Sequence, residues 1–441
     1  MKFTQMPYER VDFDKVKAEF AELEAGLDKA TSGQEQMEVH RRYYELTGHV
    51  MTQMTLAEIR HDIDTTDEFY SAEQDFYDQN GPVFRNLCVS YQKKLYHSPY
   101  RAYLEERIGK VAFKNIELGM KSVDDKILPL MQEENAIQTE YNKLLATAKI
   151  AWRGETLNLS LMNPYLHSSD RGIRAEAWKK YTAFFEENQE QLDDIYDRLV
   201  KNRTKQGEAM GYENYLPLGD ARMMRNCYDR SDMGEFRKQV KRDFVPFAEK
   251  LHERRRQRLG IDHLLYIDEG VYFPQGNPAP IGTPEEILQA GQKMYRELSK
   301  ETGEFMDFMR ENELFDVLGR KTKKTGGYMT YLPDFGAPFI FANFNGTSGD
   351  IEVLTHECGH AFQWYVVKDD PIREHWDITM ETAETHSMSM EFFTEPWMNL
   401  LFGSRAKDYV DMHFEDSMAF IPYGTMVDEF QEIAYQNPGL T

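Results

Sequence analysis

His356-Glu357-Cys358-Gly359-His360 is the only H-E-x-x-H in the chain. Residues four apart on a helix stand one turn above each other. Both imidazoles therefore reach one metal ion, and the intervening glutamate reaches a water at that ion. Such a set can activate water to hydrolyse a peptide bond. With 12 His and 75 acidic residues in 441, a chain of this composition holds roughly 0.06 accidental matches. The competing reading is one packed and one exposed histidine around a surface glutamate.

A catalytic zinc takes three protein ligands and keeps one position for water. Downstream of the motif, Glu374, His375, Glu381, Glu384, His386 and Glu391 are the candidates for the third. The segment 379–393 has helical character up to Pro396, which ends it. At about 100° per residue, Glu384 and His386 stand roughly 200° apart and cannot face the same ion. Glu384 and Glu391 share a face. Helical phase narrows the choice and leaves it open.

The elements that must position these residues are mostly helices. Thr283-Pro284-Glu285-Glu286 is a capping signature, and Ile287, Met294, Leu298, Phe305 and Met309 follow at helical spacing, which predicts one long amphipathic helix. Thr65 with Glu68 opens another. The stretches 13–30, 100–145, 172–210 and 231–258 carry helix formers with similar periodicity. Strands are few. Residues 147–161 fit a β-hairpin with a Gly-first turn at Gly154-Glu155, and Leu264 to Phe273 reads as a second β region. Two further β-like stretches, Gly326 to Leu332 and Pro338 to Phe344, lie just upstream of the motif. A small sheet there either covers the core or offers an edge strand to which an extended peptide can add. No repeat or Gly/Ser linker divides the chain, and a boundary is expected near residue 195.

At 441 residues the chain can bury a large core, and 29% charged with 41% hydrophobic residues fits a soluble globular protein. The first ten residues lack the apolar run of a signal peptide, and nowhere do about 18 uncharged apolar residues follow one another. Cys88, Cys227 and Cys358 are too few and too scattered for a disulfide framework or a thiolate metal site. A cytoplasmic protein with no membrane attachment is expected. The net charge of −23 argues against a protein that binds a nucleic-acid backbone. Between Asp350 and Thr441, 18 acidic residues face only Lys368, Arg373, Arg405 and Lys407. This stretch is either a solvated face or a negative field that favours zinc and basic peptides.

The run from Asn343 through His356-Glu357-Cys358-Gly359-His360 to Phe362, with Glu384-Thr385-His386-Ser387-Met388-Ser389-Met390-Glu391 after it, resembles the M3 family of zinc oligopeptidases, closest to its oligoendopeptidase F branch. Glu384 follows His360 by 24 residues and precedes Glu391 by seven, which matches the family pattern. The specific match spans roughly 320–395, with weaker similarity at Ser169-Asp170-Arg171, Arg174 and Phe420-Ile421-Pro422-Tyr423. The resemblance implies a mainly α, zincin-like fold: helical lobes around a deep substrate cleft, with a small antiparallel β-sheet beside the H-E-x-x-H helix. It implies one zinc per chain on His356, His360 and Glu384, with Glu357 as general base on the zinc-bound water and short peptides as substrates. Glu391 would orient a zinc histidine. Asp350 is either a similar support or a helix N-terminal cap. Cys358 and His386 read as structural. Gly326, Gly327 and Tyr328 match a family segment that lines the substrate cleft.

Family members continue well beyond the point matching Thr441, through a Tyr/His-bearing segment that holds substrate and oxyanion. No counterpart is visible, since His413 and Tyr423 come too early. The expected organisation is an N-terminal helical region with a small hairpin, 1–195, and a catalytic region, 196–441, truncated at its C-terminus. Such a chain would bind zinc and hydrolyse peptides poorly. Three functions follow: a zinc endopeptidase, a metal carboxypeptidase, or a weakly catalytic peptide-binding fragment.

Overall fold

The computed structural model of the chain describes residues 1–440. Asp12, Ser32 and Asp67 accept backbone N–H groups at the starts of α1 (Phe13–Lys29), α2 (Gly33–Ile63) and α3 (Glu68–Tyr96). Asp67, not the expected Thr65, therefore opens α3. Thr65 gives its N–H and hydroxyl to the Thr322 carbonyl instead. The stretch 100–145 divides into α4 (Arg101–Ile108), α5 (Lys110–Met120) and α6 (Leu128–Ala146). Gly109, at φ +106°, makes the first break because the left-handed region costs glycine nothing. Phe20, Tyr43, Tyr91, Leu104 and Phe113 are buried at the centre of this helical bundle.

Strands β1 (Ile150–Trp152) and β2 (Glu155–Leu157) form the expected hairpin in shortened form. Arg153 and Gly154, at φ +48° and +89°, make its two-residue turn, so glycine comes second and not first. The alternating leucines mislead beyond Leu157. Asn158 accepts the Leu161 N–H and starts α7 (Leu159–Leu166). There follow α8 (Arg171–Glu187), α9 (Gln189–Ala209), α10 (Leu216–Arg222), α11 (Arg230–Gln239), one π turn and α12 (Val245–Leu259). Residue 195, the expected boundary, lies inside α9. No strand forms between Leu264 and Phe273, where a single 3-10 turn occurs. Asp268, completely buried, accepts the Leu265 N–H and pairs with Arg171 and Arg174 of α8, which ties the segment to a helix and not to a sheet.

The capping box at Thr283 and Glu286 starts α13 (Pro284–Leu298) as expected. The helix is not continuous to Met309. Ser299 ends it and caps α14 (Lys300–Glu311), which folds back so closely that a Cβ on Gly303 would lie 3.0 Å from Arg296 Cα. Strands β3 (Phe315–Leu318), β4 (Tyr328–Leu332) and β5 (Ala337–Phe344) assemble in the order β3-β5-β4. Only β4 is antiparallel to β5; β3 is parallel to it, so the sheet is mixed and not the antiparallel one expected. The excursion through β4 supplies the crossover a parallel pair requires. Both faces of β5 are covered, and Phe339, Ile340, Phe341 and Ala342 are fully inaccessible. On this floor lies α15 (Gly349–Val367), which carries the H-E-x-x-H, with α16 (Met380–Thr394) against it. The described chain closes with α17 (Met398–Phe402) and α18 (Ala406–Gln436). Among the described residues no helix is long and apolar enough to cross a membrane.

Candidate metal centre

Histidines 356 and 360 stand on one face of α15, their ring centroids 4.9 Å apart. Glu384 of α16 meets them. Its Oε2 lies 3.2 Å from His356 Nε2 and 3.7 Å from His360 Nε2, so one donor atom from each residue falls within 4.8 Å of the others. Two imidazole nitrogens and a carboxylate oxygen are a set that zinc accepts. Of the other candidate ligands, Glu374 accepts hydrogen bonds from His40 and Tyr44 of α2, and His375 faces Asp370 and the Ile108 carbonyl. Glu391 lies at the other side of His356, its Oε1 2.7 Å from Nδ1. Burial opposes a charge on His356, but hydrogen bonds to Glu384 and Glu391 outweigh it and push its pKa up to about 10.

The spacing between the two helices is set by Gly359. A Cβ there would come 2.6 Å from Ser387 Cα and 2.8 Å from the His386 carbonyl oxygen, so α15 and α16 touch backbone to backbone. Ser387, fully buried at this contact, donates its hydroxyl to Glu384 Oε2 at 2.9 Å. Cys358 points into the core, where burial pushes its thiol up to about 12, in keeping with a packing role.

Glu357 is 8% exposed. Burial raises its pKa to about 7, partly offset by the charge of His356 and by the nearby backbone of Met329. Met329 belongs to β4, an edge of the sheet, so the general-base candidate sits against that edge. Gly326 and Gly327 lead into the strand. The first has φ +92°, and a Cβ on the second would lie 3.2 Å from Val353 of α15 and 3.3 Å from the Phe341 carbonyl. Tyr328 stacks on Phe341 and donates its hydroxyl to Asp62 of α2 at 3.0 Å. Asp350 is neither beside the metal ligands nor the N-cap, a position held by Ser348. Its carboxylate accepts the N–H groups of Asn345 and Gly346, 2.9 and 2.8 Å away, and pins the loop entering α15.

One contact has no precedent in the motif. His413 of α18 places Nε2 2.6 Å from Glu391 Oε2. It lies 22 residues beyond Glu391, and only the three-dimensional packing reveals it.

An H-E-x-x-H helix on a small sheet, with a glutamate from the next helix, is a zincin-like arrangement in a mainly α fold. Residues 3–123 match the Peptidase M3 N-terminal domain and residues 299–435 match Peptidase family M3. The chain belongs to peptidase family M3, and within it to the proteins resembling oligoendopeptidase F. It is 45% identical to PZ peptidase A, solved with an inhibitor, at a TM-score of 0.98 over 99% of this chain and 78% of that one. A structure assigned as oligoendopeptidase F from Bacillus anthracis strain Ames is 43% identical, with a TM-score of 0.99 over 100% of this chain and 81% of that one. An oligoendopeptidase F homolog of Mycoplasma pneumoniae is 23% identical over 332 residues, 69% of this chain. The chain spans 52% of that relative, about half its length.

Proposed function

We propose that this chain is a zinc-dependent endopeptidase acting on short oligopeptides, with one zinc held by His356, His360 and Glu384. The observation that carries this reading is convergence: three metal-type donors, a buried glutamate and the edge of a strand meet at one place. A zinc ion at these donors supplies positive charge that polarises a carbonyl and acidifies water.

The chain's own residues do the rest. Glu357 takes the proton of the attacking water and delivers it to the amide nitrogen as the C–N bond breaks. An extended peptide adds along β4, from Gly326-Gly327-Tyr328 onward, by main-chain hydrogen bonds that tolerate many side chains. Glu391 holds His356 in the tautomer that frees Nε2 for the metal. Three unpaired cysteines and a net charge of −23 support a cytoplasmic protein that does not bind nucleic acid.

Zinc content and cleavage of an internally quenched peptide, compared for the wild type and Glu357→Gln, test the reading. Stoichiometric zinc in both, with cleavage only in the wild type, is the expected result. Equal cleavage by the two proteins, or a wild type that takes up no zinc, overturns it.

A further inference from the structure

Glu391 divides its two oxygens between two imidazoles, and only one of these belongs to the motif. Oε1 meets His356 Nδ1 at 2.7 Å and Oε2 meets His413 Nε2 at 2.6 Å. His413 is itself immobilised. It is 3% exposed, its Nδ1 faces Glu395 Oε1 at 3.4 Å, and its ring stacks on Tyr409 with Phe392 at 4.8 Å on a tilt. Tyr409 in turn stacks on Phe402 of α17, 4.2 Å between centroids.

A glutamate held at one oxygen can still turn about its last side-chain bond and swing along its flexible stem. Held at both, it cannot. We propose that His413 is a positioning residue for the metal centre. By fixing Oε2 of Glu391 it fixes Oε1 against His356 Nδ1, and thereby the direction in which His356 Nε2 faces. Through this contact α18 takes part in the metal site without supplying a ligand. The inference rests on His356 being a metal ligand, as proposed above.

The test uses the full chain as wild type, His413→Leu, His413→Gln and His413→Asn. Zinc affinity is measured by competition with a chromophoric chelator, cobalt is substituted for its visible absorption, and the thermal midpoint is recorded for each. Partners of metal ligands are worth about 10- to 100-fold in affinity, and His413→Leu is expected to weaken zinc by about tenfold and shift the cobalt bands. Glutamine can present an amide N–H near the place of Nε2 and is expected to restore most of the affinity. Asparagine is too short to reach and is expected to behave like leucine, which keeps the test open if the leucine variant fails to fold. A lowered thermal midpoint with wild-type affinity and cobalt spectrum in both His413→Leu and His413→Asn would reduce His413 to a packing residue and overturn the proposal. Failure of the underlying reading has a different signature: the wild type itself binds no zinc, or His356→Ala binds it as well as the wild type, and the positioning role then falls too.

Discussion

The N-terminal bundle and the larger core beneath the metal helix bury large side chains to different ends. In the bundle, Phe20, Tyr43, Phe84 and Tyr91 meet edge to face or stacked, and buried polar groups such as His40 are closed into pairs at the seams. Under α15, the inaccessible residues of β5 form a dry floor, and polar groups stand directly on it. Their protonation is displaced accordingly. Burial pushes Glu357 and Glu352 up to about 7 and Asp350 to about 6. Burial also raises Glu58, Asp78 and Cys88 in the bundle, but only above the floor do the shifted carboxylates include one that flanks the metal-type donors. Substitutions should therefore separate: those in the bundle change stability alone, and those above the floor change chemistry first.

The largest expected effect is at Glu357. Glu357→Gln should lower kcat/KM by about 10²–10⁴-fold, the usual worth of a general base, with the thermal midpoint unchanged; a matching loss of stability would blur the distinction. In the bundle, Phe20, 1% exposed, is the counterpart. Phe20→Ala should cost about 3–5 kcal/mol in denaturant unfolding and leave zinc affinity alone, and a coupled drop in affinity would break the comparison. Gly359→Ala should do both, costing about 1–3 kcal/mol from overpacking while weakening zinc, as chelator competition would reveal. The mildest expectation concerns pH. Glu357 must be ionised to accept a proton, and its folded pKa is raised, so kcat/KM should hold at higher pH and fall as pH drops through the pKa. A bound dication favours the carboxylate, so the midpoint of that acid limb should lie below about 7. A limb that falls in the opposite direction would remove Glu357 as the base.

Features that depend on local geometry were legible in the sequence. Two histidines four apart announce themselves through the helical repeat alone, whereas the repeat leaves the third donor open and the family resemblance points to Glu384. Breaks set by a single polar side chain were not. Ser299 splits the helix expected to run from 284 to 309 with Thr302 in place of the usual Glu or Gln, and Asp268 draws 264–273 onto α8 by a buried ion pair. Within the site, the backbone of Met329 beside Glu357 carries no residue-type signal, and His413 reaches Glu391 only after two 3-10 turns and α17 bring α18 back. The mixed sheet was hidden for the same reason, because strand order is a long-range property.

The contact of Gly359 with the backbone of His386 and Ser387 also bears on how this site could change over generations. Most packing faults in a protein can be relieved by trimming a neighbouring side chain. Here the neighbouring atoms are main chain, which no substitution can trim. A search for second-site revertants of a Gly359 variant should therefore return true reversions at codon 359 and few changes elsewhere, leaving the two helices to vary only as a matched pair.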